Sequence, residues 1–296
     1  MPKWLLYSIL AFVVFGVWAV LPKAVNTQFS PLTMQLIATI GVLPMAALFA
    51  ASPNLRSGGN LPRGIAYAFV TGVFGNSGNI ALLEALNHGG SASIVYPLTG
   101  MFPLVTLLLA RLWLKERPNT VQIIGVGVSL VAIYLFSTSP DISTPDAIST
   151  ATRTAAISWM GYSLIALLLF GVCGVTQKLA STDISTELST ICWAAGSIPV
   201  AAAIFWMQPP GPNIAKRDWI ISILWGVLVV LGMLASFAAY RRGKASVVTA
   251  LTALYPALTV VLAIFLFDEH LDAWKFAAIL LALLAGVALS YEKAIG

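Results

Sequence analysis

Charged residues are spaced along this chain so that they leave ten long runs without any charge. The uncharged runs cover residues 4–22, 24–55, 64–83, 85–110, 118–140, 154–177, 188–215, 219–240, 245–267 and 276–291. Each run holds one apolar stretch, and a helix needs about 20 apolar residues to cross a hydrocarbon core of about 30 Å. We therefore predict an all-α integral membrane protein with ten transmembrane helices, numbered here as spans 1–10.

The composition excludes an ordinary soluble domain. Of the 296 residues, 59% are hydrophobic and 9% are charged, whereas soluble domains carry about 25% charged residues. The net charge of +5 does not indicate nucleic acid, because the sixteen Lys and Arg residues are scattered between apolar runs and form no basic face. We expect the lipid bilayer as a partner and no nucleic acid. Cys173 and Cys192 lie in apolar runs, where we expect them to act as small hydrophobic residues.

Basic residues in the short loops predict the orientation. Eleven of the sixteen Lys and Arg residues fall on the side of the amino terminus, and five fall on the other side. Because basic loops tend to stay in the cytoplasm, we predict a multi-pass protein of the plasma membrane, the inner membrane of a bacterium, with both termini cytoplasmic. An even number of spans also places both termini on one side.

The two halves of the chain resemble each other in sequence. Phe15 and Gly16 recur as Phe170 and Gly171, at an offset of 155 residues. Later in each half the offset is 153 residues, and this block matches without a gap. In it, Gly90, Ala92, Ser93, Val95, Leu98, Thr99, Pro103, Thr106 and Glu116 return as Gly243, Ala245, Ser246, Val248, Leu251, Thr252, Pro256, Thr259 and Glu269. Agreement of this kind indicates an internal duplication.

The duplication predicts two repeats of opposite orientation. Residues 1–137 form a first repeat of five spans, residues 138–157 a polar linker rich in Ser, Thr and Pro, and residues 158–296 a second repeat of five spans. Because five is odd, the second repeat enters the membrane inverted. Inverted repeats are common in carriers, whose halves rock about a site at the midplane, although some channels and assembly proteins share this origin. We therefore favour a carrier built from two inverted five-helix repeats.

These residues resemble the drug/metabolite transporter superfamily, in its EamA-like branch. The resemblance lies in the Gly, Ala and Ser residues that open spans 4 and 9, in Pro103 and Pro256, and in Glu116 and Glu269 beyond them. Gln122 and Gly125 also fit, whereas the second copy departs from the pattern with Lys275 and Ala278. Among its members, the chain is most similar to the YddG-type bacterial exporters of aromatic and other amino acids. That similarity implies ten helices around a central cavity lined by spans 1, 3, 4, 6, 8 and 9, and an outward-open, basket-like form.

Polar residues in spans 4 and 9 are candidates for the cavity wall, since polar side chains in hydrocarbon need a partner or water. Tyr96 and Thr99 lie in span 4, and Thr249, Thr252 and Tyr255 lie in span 9. Pro103 and Pro256 each lack the N–H that would bond to a carbonyl one turn back, that of Thr99 or of Thr252. We predict that these free carbonyls contact the substrate, or that Pro103, Pro256 and Gly100 form a hinge. Alternatively, the Thr hydroxyls bond to their own helix backbone.

Spans 1, 3 and 6 supply further candidates. Asn76 and Asn79 carry amides, which offer both a donor and an acceptor to a carboxylate and an ammonium group; links between helices are the alternative. Trp18 matches Cys173 across the repeat, and Gln177 replaces Pro22. We predict that a large residue in one half and a small one in the other shape a pocket for an aromatic side chain. The alternative is that the aromatic residues near the ends of the spans belong to the interfacial belt.

The carboxylates argue against a proton-coupled drug exchanger. Of the eleven acidic residues, only Glu84 lies inside a span, near its end, whereas such an exchanger typically needs a carboxylate deep in the membrane. We therefore expect facilitated export, or coupling through another group. Glu116 and Glu269 follow spans 4 and 9 and are predicted to act as gates or as caps of the next helix.

A membrane carrier is the function that these observations favour. Together with the resemblance, which implies export, they predict a transporter that exports amino acids, aromatic and other neutral or zwitterionic metabolites, by alternating access. We expect no ATP hydrolysis by this chain, since it has no P-loop. Efflux of cationic drugs or metabolites is the alternative within the superfamily. An integral-membrane enzyme or a scaffold is the alternative of another class, but no catalytic motif is present. His88 and His270 have no second ligand at a useful spacing, so we expect no metal and no cofactor, and the oligomeric state is not predicted.

Overall fold

The protein is all-helical in a computed structural model, which describes residues 2–25, 30–55, 58–109, 112, 119–137, 150–211, 213–242, 252, 254–267, 273–289 and 291. Within these residues the helices are α1 (Lys3–Val20), α2 (Pro31–Ala47), α3 (Leu61–Asn87), α4 (Ala92–Thr99), α5 (Phe102–Leu109), α6 (Thr120–Ser137), α7 (Thr150–Asp183), α8 (Thr186–Ala195), α9 (Ser197–Met207), α10 (Lys216–Arg242), α11 (Tyr255–Phe267) and α12 (Ala273–Leu289). Short 3-10 helices, Leu21–Ala24 and Leu48–Ala51, extend α1 and α2.

Six helical segments are long and apolar enough to cross a bilayer. They are Lys3–Ala24, Pro31–Ala51, Ala92–Leu109, Ser158–Asp183, Thr186–Met207 and Lys216–Ala239. Three further apolar helices in the described chain are shorter: Thr120–Leu135, Tyr255–Phe267 and Phe276–Ala288. An all-α membrane protein is therefore confirmed. The number of ten spans stays a prediction.

Proline is the second residue of two helices, and one of these helices follows a break in a spanning segment. The break between α4 and α5 falls at Gly100 and Met101, and Pro103 is the second residue of α5. Pro256 is likewise the second residue of α11. Proline is tolerated in the first turn of a helix, because the backbone N–H groups there have no acceptor within the helix. The two prolines that match across the repeat therefore begin new helical segments.

Residues 150–157, which we assigned to the linker, are helical and form the start of α7. Most of the close packing between helices joins the first half of the chain to the second. Helix α3 packs on α7 and α8, α1 and α2 pack on α10, and α6 packs on α12. The region between the halves is thus the main buried interface of the described residues.

The contacts between the halves come in matched pairs. Thr106 Oγ1 lies 2.9 Å from the carbonyl oxygen of Gly171 and 3.2 Å from that of Phe102 in its own helix. Thr259 Oγ1 lies 3.4 Å from the carbonyl oxygen of Gly16 and 3.1 Å from that of Tyr255 in its own helix. Thr259 lies 153 residues after Thr106, and Gly171 lies 155 residues after Gly16. The residues that match in sequence therefore make matching contacts between the halves, and the contact of Thr106 is the shorter one.

Glycines at close helix contacts also come in pairs that match between the two halves. A Cβ on Gly72 would press against the carbonyl oxygen of Trp193, and one on Gly226 would press against that of Ala38. Gly226 follows Gly72 by 154 residues, and Trp193 follows Ala38 by 155. Small residues of this kind let helix backbones pack directly against each other in a membrane. The pairing extends the repeat into α3 and α10, where the sequence match is not evident.

Candidate functional site

Five aromatic rings from both halves of the chain meet in the interior. Trp18 of α1 stacks on Trp225 of α10, with ring centroids 5.2 Å apart and planes 15° apart. Tyr96 of α4 meets the edge of Trp18 at 6.3 Å. Phe15 lies 6.2 Å from Trp18 and 5.9 Å from Tyr255 of α11. We call these five residues the aromatic cluster.

The aromatic cluster holds three polar atoms that make no hydrogen bond. They are Trp18 Nε1, Trp225 Nε1 and the Tyr96 hydroxyl oxygen, all buried and without a partner among the described residues. Leaving a buried donor unpaired costs about 1–3 kcal/mol. Folded proteins rarely retain such groups without a use for them. Three together therefore mark a place where a ligand with hydrogen-bond acceptors would be stabilised.

A buried amide pair joins α2 to α3. Gln35 Nε2 donates to Asn76 Oδ1 at 2.8 Å, and Asn76 Nδ2 donates to the carbonyl oxygen of Gly72 at 2.7 Å. Gln35 Oε1 is left as a buried acceptor without a partner in the described structure. Asn79, one turn beyond Asn76, is also buried. Asn76 therefore links two helices and orients the amide of Gln35, and its contact with a substrate stays a prediction.

The position equivalent to the tryptophan stack is occupied by small polar groups. Cys173 Sγ donates to the carbonyl oxygen of Thr71 at 3.3 Å, and Thr71 Oγ1 donates to Thr176 Oγ1 at 2.6 Å. Cys173 matches Trp18 at an offset of 155, and Trp225 matches Thr71 at 154. We call the α1–α10 contact the first seam and the α3–α7 contact the second seam.

The other residues predicted for the site lie partly in the described helices and partly outside the described structure. Thr99 Oγ1 donates to the carbonyl oxygens of Val95, at 2.8 Å, and of Tyr96, at 3.2 Å, so its hydroxyl is bonded to its own helix. Gln177 is half-buried on α7, and Thr252 is half-buried. The predicted residues outside the described structure are Thr249, Glu116 and Glu269.

The predicted hinge residues meet each other. A Cβ on Gly100 would contact the ring of Pro256 and the carbonyl oxygen of Tyr96. The break between α4 and α5 therefore lies against the start of α11. Whether these residues act as a hinge stays a prediction.

A cavity of about 410 Å³ opens where α1 ends and α10 begins. Its lining combines two cationic side chains, one carboxylate and an apolar wall: Lys23, Ala24, Val25, Ala215, Arg217, Asp218 and Phe267. Asp218 is buried, Lys23 is half-buried and Arg217 is exposed. We call this cavity the end pocket. It lies at the end of α1 that is opposite the amino terminus.

Two carboxylates elsewhere are paired. Glu84 Oε2 lies 3.5 Å from Nδ1 of His88, and Asp183 Oδ2 lies 3.5 Å from Nε of Arg63. The described residues contain no group of three or more metal-ligating side chains.

Phe15, Trp225 and Gln35 are not among the residues that the sequence predicts for the site. Phe15 and Trp225 lie in apolar runs, where a buried ring and a lipid-facing ring look alike. Gln35 had a usable signal, because an amide inside an uncharged run is costly unless it faces a partner or a cavity.

An all-helical membrane protein with matched contacts between its halves, and unpaired polar atoms between them, has the features of a solute transporter. The chain belongs to the EamA-like transporter family, whose family model matches residues 2–138 and 157–291. The two matched segments cover nearly all of both predicted repeats. The protein is a multi-pass membrane transporter of the drug/metabolite transporter superfamily.

Individual relatives agree with this assignment. The chain is 25% identical over 231 residues to the uncharacterized transporter YojE of Bacillus subtilis, covering 75% of this chain and 70% of that one. It is 24% identical over 215 residues to the uncharacterized transporter PA0485 of Pseudomonas aeruginosa, covering 70% and 65%. A solved structure described as "Crystal structure of protein" has a TM-score of 0.63 at 16% identity and covers 97% of this chain and 96% of that one. This last similarity concerns the fold alone.

Proposed function

We propose that this transporter exports neutral and zwitterionic amino acids, aromatic ones among them, across a bacterial inner membrane by alternating access. The observation that carries the proposal is the aromatic cluster, in which Trp18, Tyr96 and Trp225 present three buried donors that have no partner among the described residues. In this arrangement both termini face the cytoplasm, and ten spans form two inverted repeats around the cluster.

The chemistry of the described residues suits an amino acid. The carboxylate of a zwitterion would accept hydrogen bonds from the indole N–H groups and the Tyr96 hydroxyl. Its ammonium would donate to an acceptor such as Gln35 Oε1, which is buried and unpaired. An aromatic side chain gains about 0.5–1.5 kcal/mol from stacked or edge contacts with other rings, beyond the area that it buries.

The contacts between the halves support alternating access. The bonds of Thr106 to Gly171 and of Thr259 to Gly16 join the halves in equivalent ways. Two equivalent interfaces give two arrangements of similar energy, in which one side opens while the other closes. The contact of Gly100 with Pro256 places the break between α4 and α5 against the start of α11, so that a movement of one half would displace the other.

Export of cationic compounds remains the alternative within the superfamily, and Glu84 separates the two. Its carboxylate lies beside His88 rather than in the aromatic cluster. We expect Glu84→Gln to keep amino-acid transport and its independence of a pH gradient. Loss of transport in this variant, together with flux driven by a pH gradient in the wild type, would favour a proton-coupled exchanger.

Counterflow in proteoliposomes tests the proposal. Labelled phenylalanine should exchange against unlabelled aromatic and other neutral amino acids. Tyr96→Phe and Trp225→Phe remove one donor each and keep a ring, so KM should rise about tenfold or more, because a hydrogen bond to a charged group is worth about 1.5–3 kcal/mol. Trp206→Phe is the control, since Trp206 is 88% exposed on α9. Absence of counterflow with every amino acid would overturn the proposal.

A further inference from the structure

One end of each seam carries a contact between a tyrosine ring and a basic side chain. Arg242, the last residue of α10, places its guanidinium carbon 5.0 Å from the centre of the Tyr7 ring on α1. His88, directly after α3, places its ring 4.9 Å from that of Tyr162 on α7, measured between centroids, with planes 40° apart. Tyr162 follows Tyr7 by 155 residues, and Arg242 follows His88 by 154. Equivalent residues of the two halves therefore make equivalent contacts.

The hydrogen bonds of the two basic side chains match as well. Arg242 Nη1 donates to the carbonyl oxygen of Ala238 at 3.0 Å, and His88 Nδ1 donates to that of Glu84 at 2.9 Å. Because a carbonyl oxygen only accepts, Nδ1 carries the hydrogen, and Nε2 is the nitrogen that can take up a further proton. The side chain of His88 is 37% exposed, so the ring is in contact with solvent.

The two contacts differ in whether their charge is permanent. A guanidinium is always charged in a protein, whereas histidine is the side chain that changes charge between about pH 5 and pH 8. A cation within about 6 Å of the centre of a tyrosine ring is attracted to its face. In addition, Glu84 Oε2 lies 3.5 Å from Nδ1 of His88, and Ala238 takes the place of Glu84 in the other half. A protonated His88 therefore makes the contact that Arg242 makes, with a counter-ion beside it.

Glu84 and Tyr162 are the ionisable residues that face His88 within the described structure. Helix α3 also packs on α2, α4, α8 and α9. Helices α2 and α9 contain no ionisable residue, and the ionisable residue of α4, Tyr96, belongs to the aromatic cluster. The ionisable residues of α8, near the opposite end of α3, and the others of α7, at least nine residues or about 14 Å along the helix from Tyr162, are Glu187 and Cys192, and Arg153, Cys173, Lys178 and Asp183. The charge of this contact thus depends on His88 and Glu84.

We propose that protonation of His88 stabilises the closed second seam at its Tyr162 end, so that transport slows when that membrane face becomes acidic. This inference rests on the alternating access of the proposed function, and in the proposed orientation the face is the outer one, where an exported solute leaves. Arg242 holds the first seam equally at every pH. Acidity changes the rate of opening here and does not drive the flux.

Hydrogen–deuterium exchange of the full-length protein in nanodiscs measures this opening without transport. The amides to follow are those at the end of α3 and around Tyr162 on α7. Wild type and His88→Gln are compared at the same pH, so the intrinsic pH dependence of exchange cancels. Between pH 8 and about pH 5.5, exchange in the wild type should slow about two- to fivefold relative to His88→Gln, as one exposed cation–π contact predicts. His270→Gln, which removes the second histidine of the chain, is the control and should behave as the wild type.

Counterflow of labelled phenylalanine, with equal pH on both sides of the proteoliposome membrane, measures the effect on transport. The wild type should slow about two- to fivefold between pH 8 and about pH 5.5. His88→Gln should stay fast and His88→Arg slow at both pH values. Arg242→His in the His88→Gln background should restore a dependence on pH, because it gives the first seam the titratable contact. A merely structural role of His88 predicts no such restoration.

The outcomes separate this inference from the proposed function. An exchange ratio that is the same at both pH values, with counterflow intact, would overturn the inference and keep amino-acid export. Counterflow that slows equally in wild type and His88→Gln, or not at all in the wild type, would overturn the role of His88 in transport. A pH-dependent exchange ratio without counterflow of any amino acid would keep the contact and overturn amino-acid export.

Discussion

Trp18 stacks on Trp225 in the first seam, whereas Cys173 donates to the carbonyl of Thr71 at the equivalent place in the second seam. One turn away the two seams agree again: Phe15 lies against Gly232 in one, and Phe170 lies against Gly78 in the other. The backbone contacts are thus shared, and the side chains between them are not. The difference indicates that the matched backbone contacts form the interface, while a few unmatched side chains make the two sides chemically distinct.

The unmatched side chains differ most in size. A tryptophan buries about 150–250 Å², so two stacked indoles close the first seam with a large apolar contact. The second seam holds a thiol and the hydroxyls of Thr71 and Thr176 at the same level. Under the proposed mechanism, the two seams open in turn. The side with the indoles would then hold an aromatic ligand, and the side with the small groups would let it pass.

Giving the first seam the side chain of the second should have the largest effect. Trp225 is fully buried, so Trp225→Thr should cost about 3–5 kcal/mol of folding stability, as large-to-small aromatic substitutions do in protein cores. Thermal unfolding in detergent measures the loss, and counterflow should fall with it. Trp206→Thr, at an exposed position on α9, should change stability by about 0.5 kcal/mol or less. Equal stability of the two variants would contradict the role given to the stack.

A smaller effect is expected at two matched contacts outside the seams, that of α3 with α8 and that of α10 with α2. Gly72→Ala and Gly226→Ala each place a Cβ against a carbonyl oxygen of the opposite half, that of Trp193 or of Ala38. Because overpacking a close contact costs about 1–3 kcal/mol, both variants should lose stability in that range and by similar amounts. The measurement is the shift of the unfolding midpoint in detergent.

Gly127→Ala is the control for this pair, because nothing described lies within 4 Å of a Cβ at that position. It should be neutral, or stabilise helix α6 by up to about 1 kcal/mol, since alanine favours a helix more than glycine does. A large loss in Gly72→Ala with none in Gly226→Ala would show that the two contacts are not equivalent.

Charge spacing was enough to predict the all-α membrane class, because a bilayer admits few alternatives to helices. The repeat was readable in spans 1 and 6 and in spans 4 and 9, but not between α3 and α10. There the offset is 154, and the contacts of Gly72 and Gly226 reveal it. The class and part of the duplication therefore follow from local pattern alone.

The site was only partly predictable. Trp18, Tyr96 and Tyr255 were predicted and lie together in the aromatic cluster. Trp225 was not, since its importance depends on stacking against a residue about two hundred positions away in the chain. The end pocket was not predicted either, because its lining comes from three helix ends whose proximity no sequence spacing encodes. Contacts between distant segments, rather than residue types, set these parts of the molecule.

The smallest expected effect concerns the matched threonine bonds, and it tests the equivalence of the halves most finely. Thr106→Val and Thr259→Val each remove one hydrogen bond between halves, and such bonds in membranes average about 0.6 kcal/mol. Thr106→Val should cost more, because its bond to Gly171 is 2.9 Å and that of Thr259 to Gly16 is 3.4 Å. Thr39→Val is the control, since its hydroxyl bonds only to the carbonyl of Gln35 in its own helix.

The double variant decides whether the two threonine bonds act separately. They join different helix pairs, α5 with α7 and α11 with α1, so the losses in stability should add within about 0.5 kcal/mol. A loss well below the sum would show that breaking one bond already releases the other, as expected if the halves move as rigid units. In that case the two bonds would report one movement, and the matched contacts would be parts of a single interface between two alternating arrangements.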